Sequence, residues 1–328
     1  MINILSGVLP DFYVEEWGVL MKILVTGGAG FIGSHLVRLL LALGHDVTVL
    51  DNLSTGVREH LPADGVAFWE LDDRAPEARA HIAAGRFDAV VHLAGQTMVD
   101  ASIRDPHFDA SENVLGTVNV LEAARASGVK RVIFASTAAA YGDVTEDVLP
   151  VAEDLPLAPL SFYGLTKVTV EHYLALYQKL YGLDYVVLRF ANVYGERQGD
   201  KGEGGVISIF AKRIASGQGL TIFGDGGQTR DFIYAGDIAS GIVHALTTEH
   251  VNTAYNLSTQ TETSLNDLVA IFGKAVGREL HPAHQPAREG DIYRSTLANE
   301  KAKALMGWQP EVPLEEGLRR TVAYFASV

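Results

Sequence analysis

Short apolar runs rich in β-branched residues alternate with longer segments in which apolar positions recur at helical spacing. The runs are apolar throughout, which is typical of strands covered on both faces of a parallel sheet. They lie at Ile23–Val25, Val47–Leu50, Val66–Phe68, Ala89–Leu93, Arg131–Ala135 and Tyr185–Phe190. The segments between them predict helices over Phe31–Leu43, Ala75–Ala84 and Phe108–Ser127. This alternation predicts an α/β fold with a doubly wound parallel sheet.

The pattern becomes less regular after Asn192. A stretch rich in glycine and charge, Gly199 to Gly205, predicts a loop, and the elements beyond it predict a smaller C-terminal α/β lobe. Those elements are Leu220–Phe223, Ala254–Leu257, Leu265–Val276 and Leu314–Phe325. We therefore expect one domain over residues 21–191 and a second over residues 192–328, with residues 237–247 as a candidate helix that returns to the first domain.

Residues 1–20 precede the first strand and differ from a signal peptide. They carry three carboxylates, Asp11, Glu15 and Glu16, and lack a basic start. Met21 stands directly before the first strand. We expect either that Met21 is the natural first residue or that residues 1–20 form a loosely held extension, with a short capping helix as the alternative.

Composition excludes several classes of function. A net charge of -14 argues against a nucleic-acid partner. The chain has no cysteine, which excludes disulfides, thiolate metal ligands and a cysteine nucleophile and is compatible with a cytoplasmic location. No apolar run reaches membrane-spanning length. The eleven histidines show no metal-binding spacing, so we expect no metal.

A glycine-rich turn follows the first strand and opens the first predicted helix. Gly27, Gly30 and Gly33 have the spacing G-x-x-G-x-x-G, which lets a pyrophosphate approach backbone N–H groups at a helix N-terminus. The second strand ends at Asp51, where a carboxylate accepts from ribose hydroxyls and repels a 2′-phosphate. The sequence therefore predicts a Rossmann-type dinucleotide site and favours NAD over NADP. Arg58, which lies near Asp51 in the sequence, weakens this preference slightly.

Tyr163 and Lys167 stand four residues apart at the start of an apolar-periodic segment. On a helix this spacing places both side chains on one face. An ammonium next to a phenol stabilises the phenolate, so the pair can form a general base.

Several ordered motifs give the chain, from about Met21 to its C-terminus, a resemblance to a known family. It resembles the extended short-chain dehydrogenases/reductases, and among them the nucleotide-sugar epimerases of the UDP-glucose 4-epimerase type. The motifs are T-G-G-A-G-F-I-G from Thr26, D-N-L-S-T-G from Asp51, H-L-A-G-Q from His92, S-T-A-A-A-Y-G from Ser136, Y-G-L-T-K from Tyr163, R-F-A-N-V-Y-G from Arg189 and G-D-G-G-Q-T-R-D-F-I-Y from Gly224.

The resemblance implies catalytic roles for three residues. Tyr163 would remove the proton of a sugar 4-hydroxyl while C4 gives a hydride to NAD, and would later return that proton. Lys167 would hold the nicotinamide ribose and keep the phenol acidic. Thr137 would place its hydroxyl beside the 4-oxygen.

The resemblance also implies two binding sets. The NAD contacts would be Gly27, Gly30, Phe31, Ile32, Gly33, Asp51, Asn52, Asp72, Leu93, Ala94 and Lys167. Asp72 would accept from the adenine amino group; a turn aspartate at a strand end is its alternative. The contacts with a UDP-sugar would be Thr137, Tyr163, Asn192, Arg230, Arg288, Asp291 and Ser295. The small side chain of Ser295 would leave room for an N-acetylated sugar.

Two alanines decide among the reactions that the resemblance allows. Related 4,6-dehydratases carry an acidic pair after the threonine, and related decarboxylases a glutamate, whereas this chain has Ala138 and Ala139. We therefore expect reversible C4 epimerisation of a UDP-hexose. The alternatives are a UDP-glucuronate 4-epimerase or another nucleotide-sugar enzyme and, in another class, a non-catalytic NAD-binding regulator. The resemblance also implies a homodimer through Phe108–Ser127 and Phe162–Tyr181.

Overall fold

A computed structural model describes residues 20–199, 204–287 and 293–328 of the chain. The predicted N-terminal extension lies outside the described residues except for Leu20, as does most of the loop predicted between Gly199 and Gly205.

Parallel strands form the centre of the molecule, and helices cover both faces. In chain order the strands are β1 (Lys22–Thr26), β2 (Asp46–Asp51), β3 (Val66–Glu70), β4 (Ala89–His92), β5 (Arg131–Thr137), β6 (Asp184–Phe190), β7 (Asn192–Tyr194), β8 (Thr221–Phe223), β9 (Thr229–Tyr234), β10 (Thr253–Leu257), β11 (Glu262–Ser264) and β12 (Ala283–Gln285). The α-helices are α1 (Phe31–Ala42), α2 (Pro76–Gly85), α3 (Val99–Arg104), α4 (Pro106–Ala110), α5 (Gly116–Ser127), α6 (Phe162–Tyr181), α7 (Val206–Ala215), α8 (Ala235–Thr247), α9 (Leu265–Val276), α10 (Glu300–Met306) and α11 (Leu314–Ser327).

The main sheet has seven parallel strands in the order β10-β6-β5-β4-β1-β2-β3. Its two faces explain why the strands are apolar throughout. In β1, Ile23 and Val25 point into the core beneath α1 and α8, whereas Leu24 points into the core beneath α2, α5 and α6. All three side chains are fully buried. The α/β fold and the doubly wound parallel sheet are confirmed, as are all six strands predicted for the first domain.

One strand belongs to a different sheet from the one that its position in the sequence predicts. The sequence predicts Ala254–Leu257 as a strand of the C-terminal lobe, but β10 pairs with β6 and forms an edge of the main sheet. Helix α8 packs against α1 and brings the chain back to this edge. Tyr255 and Leu257 are fully buried there. The prediction is wrong because a short apolar run does not specify its pairing partner.

The helix predicted over Phe108–Ser127 is not continuous. A π-helical turn, Ser111–Leu115, separates α4 from α5. Such turns often occur at functional sites because they redirect side chains within a helix. Here the turn directs Asn113 inwards, where it is 2% exposed.

The smaller lobe is built on two short sheets, one with the order β11-β9-β7 and the other with the order β12-β8. Helices α7, α9 and α11 enclose a separate apolar core with them, which includes Phe210, Leu268, Phe272 and Leu318. Strand β7 follows β6 almost directly, so the lobe begins beside the carboxyl end of the main sheet. No described helix is long and apolar enough to cross a membrane.

Candidate active site

The glycine turn between β1 and α1 packs too closely for side chains. Gly27 has φ +68°, and a Cβ there would lie 2.7 Å from the backbone nitrogen of Ala94. A Cβ on Gly33 would lie 2.2 Å from the carbonyl oxygen of Gly27. Gly30 is the N-cap of α1 and makes no side-chain cap. The turn therefore presents its backbone to the groove at the N-terminus of α1, where an anion is favoured.

Asp51 ends β2 beside this turn and is buried, with 7% exposure. Its carboxylate accepts hydrogen bonds from the backbone nitrogens of Ala29 and Leu53, both at 2.9 Å. Burial raises the pKa of Asp51, and the backbone N–H groups oppose that rise. The carboxylate is thus fixed at the edge of the groove, with lone pairs left for further donors.

Asn52 and Asp72 lie at the ends of neighbouring strands and bind each other. The Asn52 side-chain nitrogen donates to Asp72 at 3.1 Å, and Arg74 donates to the same carboxylate at 2.6 and 2.8 Å. Next to them, Asp73 rather than Asp72 lines the groove that runs from Asp51 to Gly95. The predicted contact of Asp72 with adenine remains a prediction.

Helix α6 carries the tyrosine and the lysine. Ser161 caps it by accepting from the Gly164 nitrogen at 3.0 Å. Lys167 is 3% exposed. Its ammonium donates to the Ala135 carbonyl at 3.0 Å and lies 5.9 Å from the centre of the Tyr163 ring. Burial lowers the pKa of Lys167 to about 8, and the Asp109 and Asp73 carboxylates oppose this. The predicted arrangement of both side chains on one face is thus present.

Thr137 ends β5 and begins the short turn that contains Ala138 and Ala139. Its hydroxyl oxygen accepts from the Ala139 nitrogen at 3.1 Å, which leaves its hydrogen available to another acceptor. Gly164 allows α6 to approach this turn, because a Cβ there would lie 2.8 Å from the Ala139 carbonyl oxygen. This close approach brings Thr137 and Tyr163 into one cleft.

Ser136 has a structural role beside this cleft. Its hydroxyl donates to Glu171 at 2.6 Å, and Glu171 forms a buried ion pair with Arg189. His92 is similarly structural, since its two ring nitrogens bind the hydroxyls of Thr26 and Thr117. Burial lowers the pKa of His92 to about 3, so the ring is neutral.

A polar network behind Lys167 was not found from the sequence. The fully buried Asp109 accepts from Gln96, Asn113 and Thr166 at 2.6 to 3.1 Å. Asn113 also binds the backbone N–H and carbonyl of Gln96, at 2.8 and 3.0 Å. The available signal was the pair of polar residues, Asp109 and Asn113, four positions apart within a predicted helix.

A cleft of about 490 Å³ joins the glycine turn to the predicted catalytic residues. Besides Gln198, its walls include predicted site residues from both lobes: Gly27, Gly30, Phe31, Ile32, Gly33, Leu93, Thr137, Tyr163, Lys167 and Asn192. Asp51, Asn52 and Ala94 line the adjoining groove. Gln198 was missed because it lies in an irregular segment without helical or strand periodicity.

The remaining substrate residues are not brought together among the described residues. Arg230 lies on β9, outside the walls of the cleft, and its guanidinium donates to the Thr229 carbonyl at 2.8 Å. Ser295 is half-buried and also lies outside those walls. Arg288 and Asp291 lie outside the described residues.

The geometry fits a dinucleotide. The glycine turn leaves space that a Cβ would fill, a buried carboxylate stands where a ribose diol would bind, and a buried ammonium stands beside the phenol. No cluster of three or more metal-binding side chains occurs among the residues that the structure describes.

Known proteins are similar to this chain in both amino-acid sequence and fold. The model of the NAD dependent epimerase/dehydratase family matches residues 23–258. The UDP-glucose 4-epimerase of Mycolicibacterium smegmatis is 42% identical over 310 residues, which cover 93% of this chain and 98% of that protein.

Two solved structures give the same result at the level of the fold. The UDP-glucose 4-epimerase of Thermotoga maritima, solved with UDP-glucose, has a TM-score of 0.89 at 42% identity, covering 94% of this chain and 99% of that chain. The Thermus thermophilus UDP-glucose 4-epimerase in complex with NAD has a TM-score of 0.84 at 42% identity, and the match covers 93% of this chain and 99% of that chain. The chain therefore belongs to the NAD dependent epimerase/dehydratase family.

Proposed function

We propose that this protein is an NAD-dependent UDP-glucose 4-epimerase, which interconverts UDP-glucose and UDP-galactose. The observation that carries the proposal is the cleft in which Thr137, Tyr163 and Lys167 meet the glycine turn, with alanine at positions 138 and 139. Relatives at 42% identity over nearly the whole chain support the same reaction.

The protein's own residues would move a proton at the sugar O4. Bound NAD supplies the acceptor, and later the donor, of the hydride at C4. Tyr163 takes the O4 proton as the carbonyl forms and returns it when the other epimer forms. Thr137 donates its free hydroxyl hydrogen to O4, and the Lys167 ammonium stabilises the phenolate by its charge.

Ala138 and Ala139 restrict the fate of the 4-keto sugar. Elimination of water needs an acid and a base next to C5 and C6, and an alanine methyl group can supply neither. The two alanines follow Thr137 directly and share its turn. Return of the hydride at C4 is therefore the favoured outcome, which gives epimerisation.

The cofactor residues would be those that line the cleft and the groove. The glycine turn would hold the pyrophosphate on backbone N–H groups, and Asp51 would accept from the adenosine ribose. Lys167 would bind the nicotinamide ribose. At the substrate end, Arg230 and Arg288 would bind the diphosphate, because guanidinium groups pair well with phosphates. Asn192 would lie near the phosphates and the sugar, and Asp291 would accept from the nucleoside ribose.

An assay with three substrates tests the reaction and ranks its substrates. UDP-glucose, UDP-N-acetylglucosamine and UDP-glucuronate are each incubated with the protein, and the C4 configuration of the products is determined by NMR. We expect UDP-galactose from UDP-glucose, with some conversion of the N-acetylated sugar because Ser295 is small. Conversion of UDP-glucuronate alone would contradict the substrate assignment. A failure to convert any substrate while NAD binds would favour the regulator.

We also propose a cytoplasmic homodimer that associates through α6 and the segment containing α3, α4 and the π-helical turn. Large apolar side chains are exposed along α6 at helical spacing: Phe162, Leu165, Tyr173, Leu176 and Leu180. Ile103, Phe108 and Leu115 are exposed on the neighbouring segment. Such an apolar face, on a chain with a net charge of -14, is typical of a self-complementary interface.

Sedimentation equilibrium tests this interface. We expect the unsubstituted protein at twice the chain mass of 35.3 kDa and the double variant Leu176→Glu/Leu180→Glu at the chain mass. Leu305→Glu, at an exposed leucine on α10, is the matched control and should leave the mass unchanged. A double variant that keeps the mass of the unsubstituted protein would contradict the assigned face.

A further inference from the structure

A buried ion pair lies beside the cleft, between α6 and the main sheet. Arg189 donates to both oxygens of the Glu171 carboxylate, at 2.6 and 3.1 Å, and the two side chains are 6% and 10% exposed. Taking both charges out of water costs about as much as their attraction returns, so the pair is weak evidence for stability. What a guanidinium bound to both carboxylate oxygens does provide is a fixed distance and orientation.

The carboxylate of this pair joins the helix to the strand that leads into the cleft. Glu171 follows Lys167 by four residues and Tyr163 by eight, so the three side chains share one face of α6. Ser136 on β5 donates to Glu171 Oε1 at 2.6 Å. Ser136 and Arg189 are also register partners on the neighbouring strands β5 and β6. One carboxylate therefore ties α6 to two strands of the sheet.

The guanidinium is itself held by other parts of the chain. Arg189 Nη1 donates to the Tyr141 hydroxyl at 2.8 Å and to the Glu153 carbonyl at 3.2 Å. The Tyr141 hydroxyl donates in turn to the Asn256 side chain on β10 at 2.8 Å. Arg189 cannot turn without breaking these bonds, so the Glu171 carboxylate that it binds is held in place as well.

We infer that Ser136 and Glu171 are positioning residues, which set the place of the Thr137 hydroxyl relative to the Tyr163 phenol. Thr137 follows Ser136 directly, and Tyr163 lies two turns before Glu171 on the same helix face. One hydrogen bond therefore relates the two groups that would meet the sugar O4. The inference rests on the proposed function, and a misplacement of about 1 Å in such a site can cost about 10²-fold in rate.

A second hydrogen bond crosses from α6 to β5 but does not replace the first. The Lys167 ammonium donates to the Ala135 carbonyl at 3.0 Å. Lys167 has a flexible stem, and its ammonium would also hold the nicotinamide ribose and stabilise the phenolate. Glu171 has neither of these proposed duties, and its bond to Ser136 ends one residue closer to the cleft.

A double-mutant cycle on kcat tests the inference, with UDP-glucose as the substrate. Ser136→Ala removes the bond to β5 and leaves the ion pair in place, so we expect kcat to fall about tenfold. In the Thr137→Ala background the same substitution should lower kcat by less than about twofold, because the hydroxyl that it positions is absent. The dissociation constant for NAD, measured by calorimetry, should stay within about twofold in each variant.

A second variant and a matched control identify the residues responsible. Glu171→Gln removes the charge that holds Arg189, and its loss in kcat should also disappear in the Thr137→Ala background. Ser258→Ala is the control: this fully buried serine donates to the Leu297 carbonyl at 2.8 Å and lines neither the cleft nor the groove, so kcat should not change. Equal losses with and without the Thr137 hydroxyl, or full kcat in the serine variant on β5, would overturn the inference.

Hydrogen exchange measured by mass spectrometry gives a readout that needs no turnover. The Ala139 N–H donates to the Thr137 hydroxyl oxygen, so its exchange reports how firmly this turn is held. We expect residues 137–141 to exchange on the order of tenfold faster in Ser136→Ala but not in Ser258→Ala, with β1 unchanged in both. Unchanged exchange in Ser136→Ala would overturn the inference even if the protein converts no sugar. Absence of conversion by the unsubstituted protein would instead count against the proposed function.

Discussion

The cofactor half and the substrate half of this site are built in different ways. The cofactor half is fixed by backbone. Gly27 and Asp51 lie at the ends of the adjacent strands β1 and β2, and Gly33 lies in the first turn of α1. Neighbouring main-chain atoms leave no space for a Cβ at either glycine. The proposed substrate half would depend on side chains from the second lobe, and two of these, Arg230 and Ser295, lie outside the walls of the described cleft. A single methyl group should therefore disrupt the first half, whereas substitutions in the second should change selectivity.

Tyr163 stands where the two halves meet, so its loss should have the largest effect. We expect Tyr163→Phe to lower kcat by about 10²- to 10⁴-fold, because the proton on O4 loses its acceptor. The affinity for NAD should stay within a fewfold of that of the unsubstituted protein, as measured by calorimetry. Tyr173→Phe, on the same helix and partly exposed, is the matched control. Full activity in Tyr163→Phe would remove the proposed mechanism.

The glycine turn gives the next largest effect and tests the rigidity of the cofactor half. In Gly33→Ala the new Cβ would overlap the Gly27 carbonyl oxygen, so the turn must shift. We expect the dissociation constant for NAD to rise on the order of 10- to 100-fold, since such overpacking costs about 1 to 3 kcal/mol.

Gly219→Ala is the matched control for this substitution. No atom lies within 4 Å of the position that its Cβ would take, so the affinity for NAD should not change. Thermal unfolding of both variants separates a local shift from loss of the fold. Unchanged NAD affinity in Gly33→Ala would show that the turn is more adaptable than its packing indicates.

The contrast between the halves also explains what the sequence could predict. Gly27 and Gly33 are recognisable because only glycine permits the observed packing, and the requirement is local to one strand and one helix. The apolar runs of β1 to β6 are recognisable because burial on both faces requires them.

Long-range pairing has no comparable local signal. The pairing of β10 with β6 depends on how α8 packs on α1, and the inward direction of Asn113 depends on a π-helical turn. Asp72 and Asp73 are adjacent aspartates in the sequence, but in the structure Arg74 binds the first and the second lines the groove. These features arise from tertiary contacts that no single segment encodes.

A smaller effect is expected in the substrate half. Ser295→Tyr should lower kcat/KM for UDP-N-acetylglucosamine by about tenfold or more relative to UDP-glucose, because added bulk excludes the larger substituent. Both values are measured by coupled assay or NMR. Ser295→Ala is the control and should preserve the ratio. Equal losses for both sugars would exclude Ser295 as the residue that limits substrate size.

The smallest effect concerns charge rather than space and returns to the cofactor half. With the pKa of Lys167 near 8, activity should fall as the pH rises through about 8, because the neutral amine no longer stabilises the phenolate. The Asp109 carboxylate raises that pKa. In Asp109→Asn the alkaline decline should therefore begin at lower pH, with kcat/KM at pH 8.5 reduced by about two- to fourfold and little change at pH 7.

Asparagine can preserve the geometry around this position. Its oxygen can accept from Gln96 and Asn113, and its amide can donate to Thr166, whose hydroxyl also donates to the Tyr163 carbonyl. Asp105→Asn removes the same charge four residues earlier, at an exposed helix cap where solvent screens it, and should leave the pH profile unchanged. A profile of Asp109→Asn that matches the unsubstituted protein would mean that this carboxylate orders the pocket without setting the charge of Lys167.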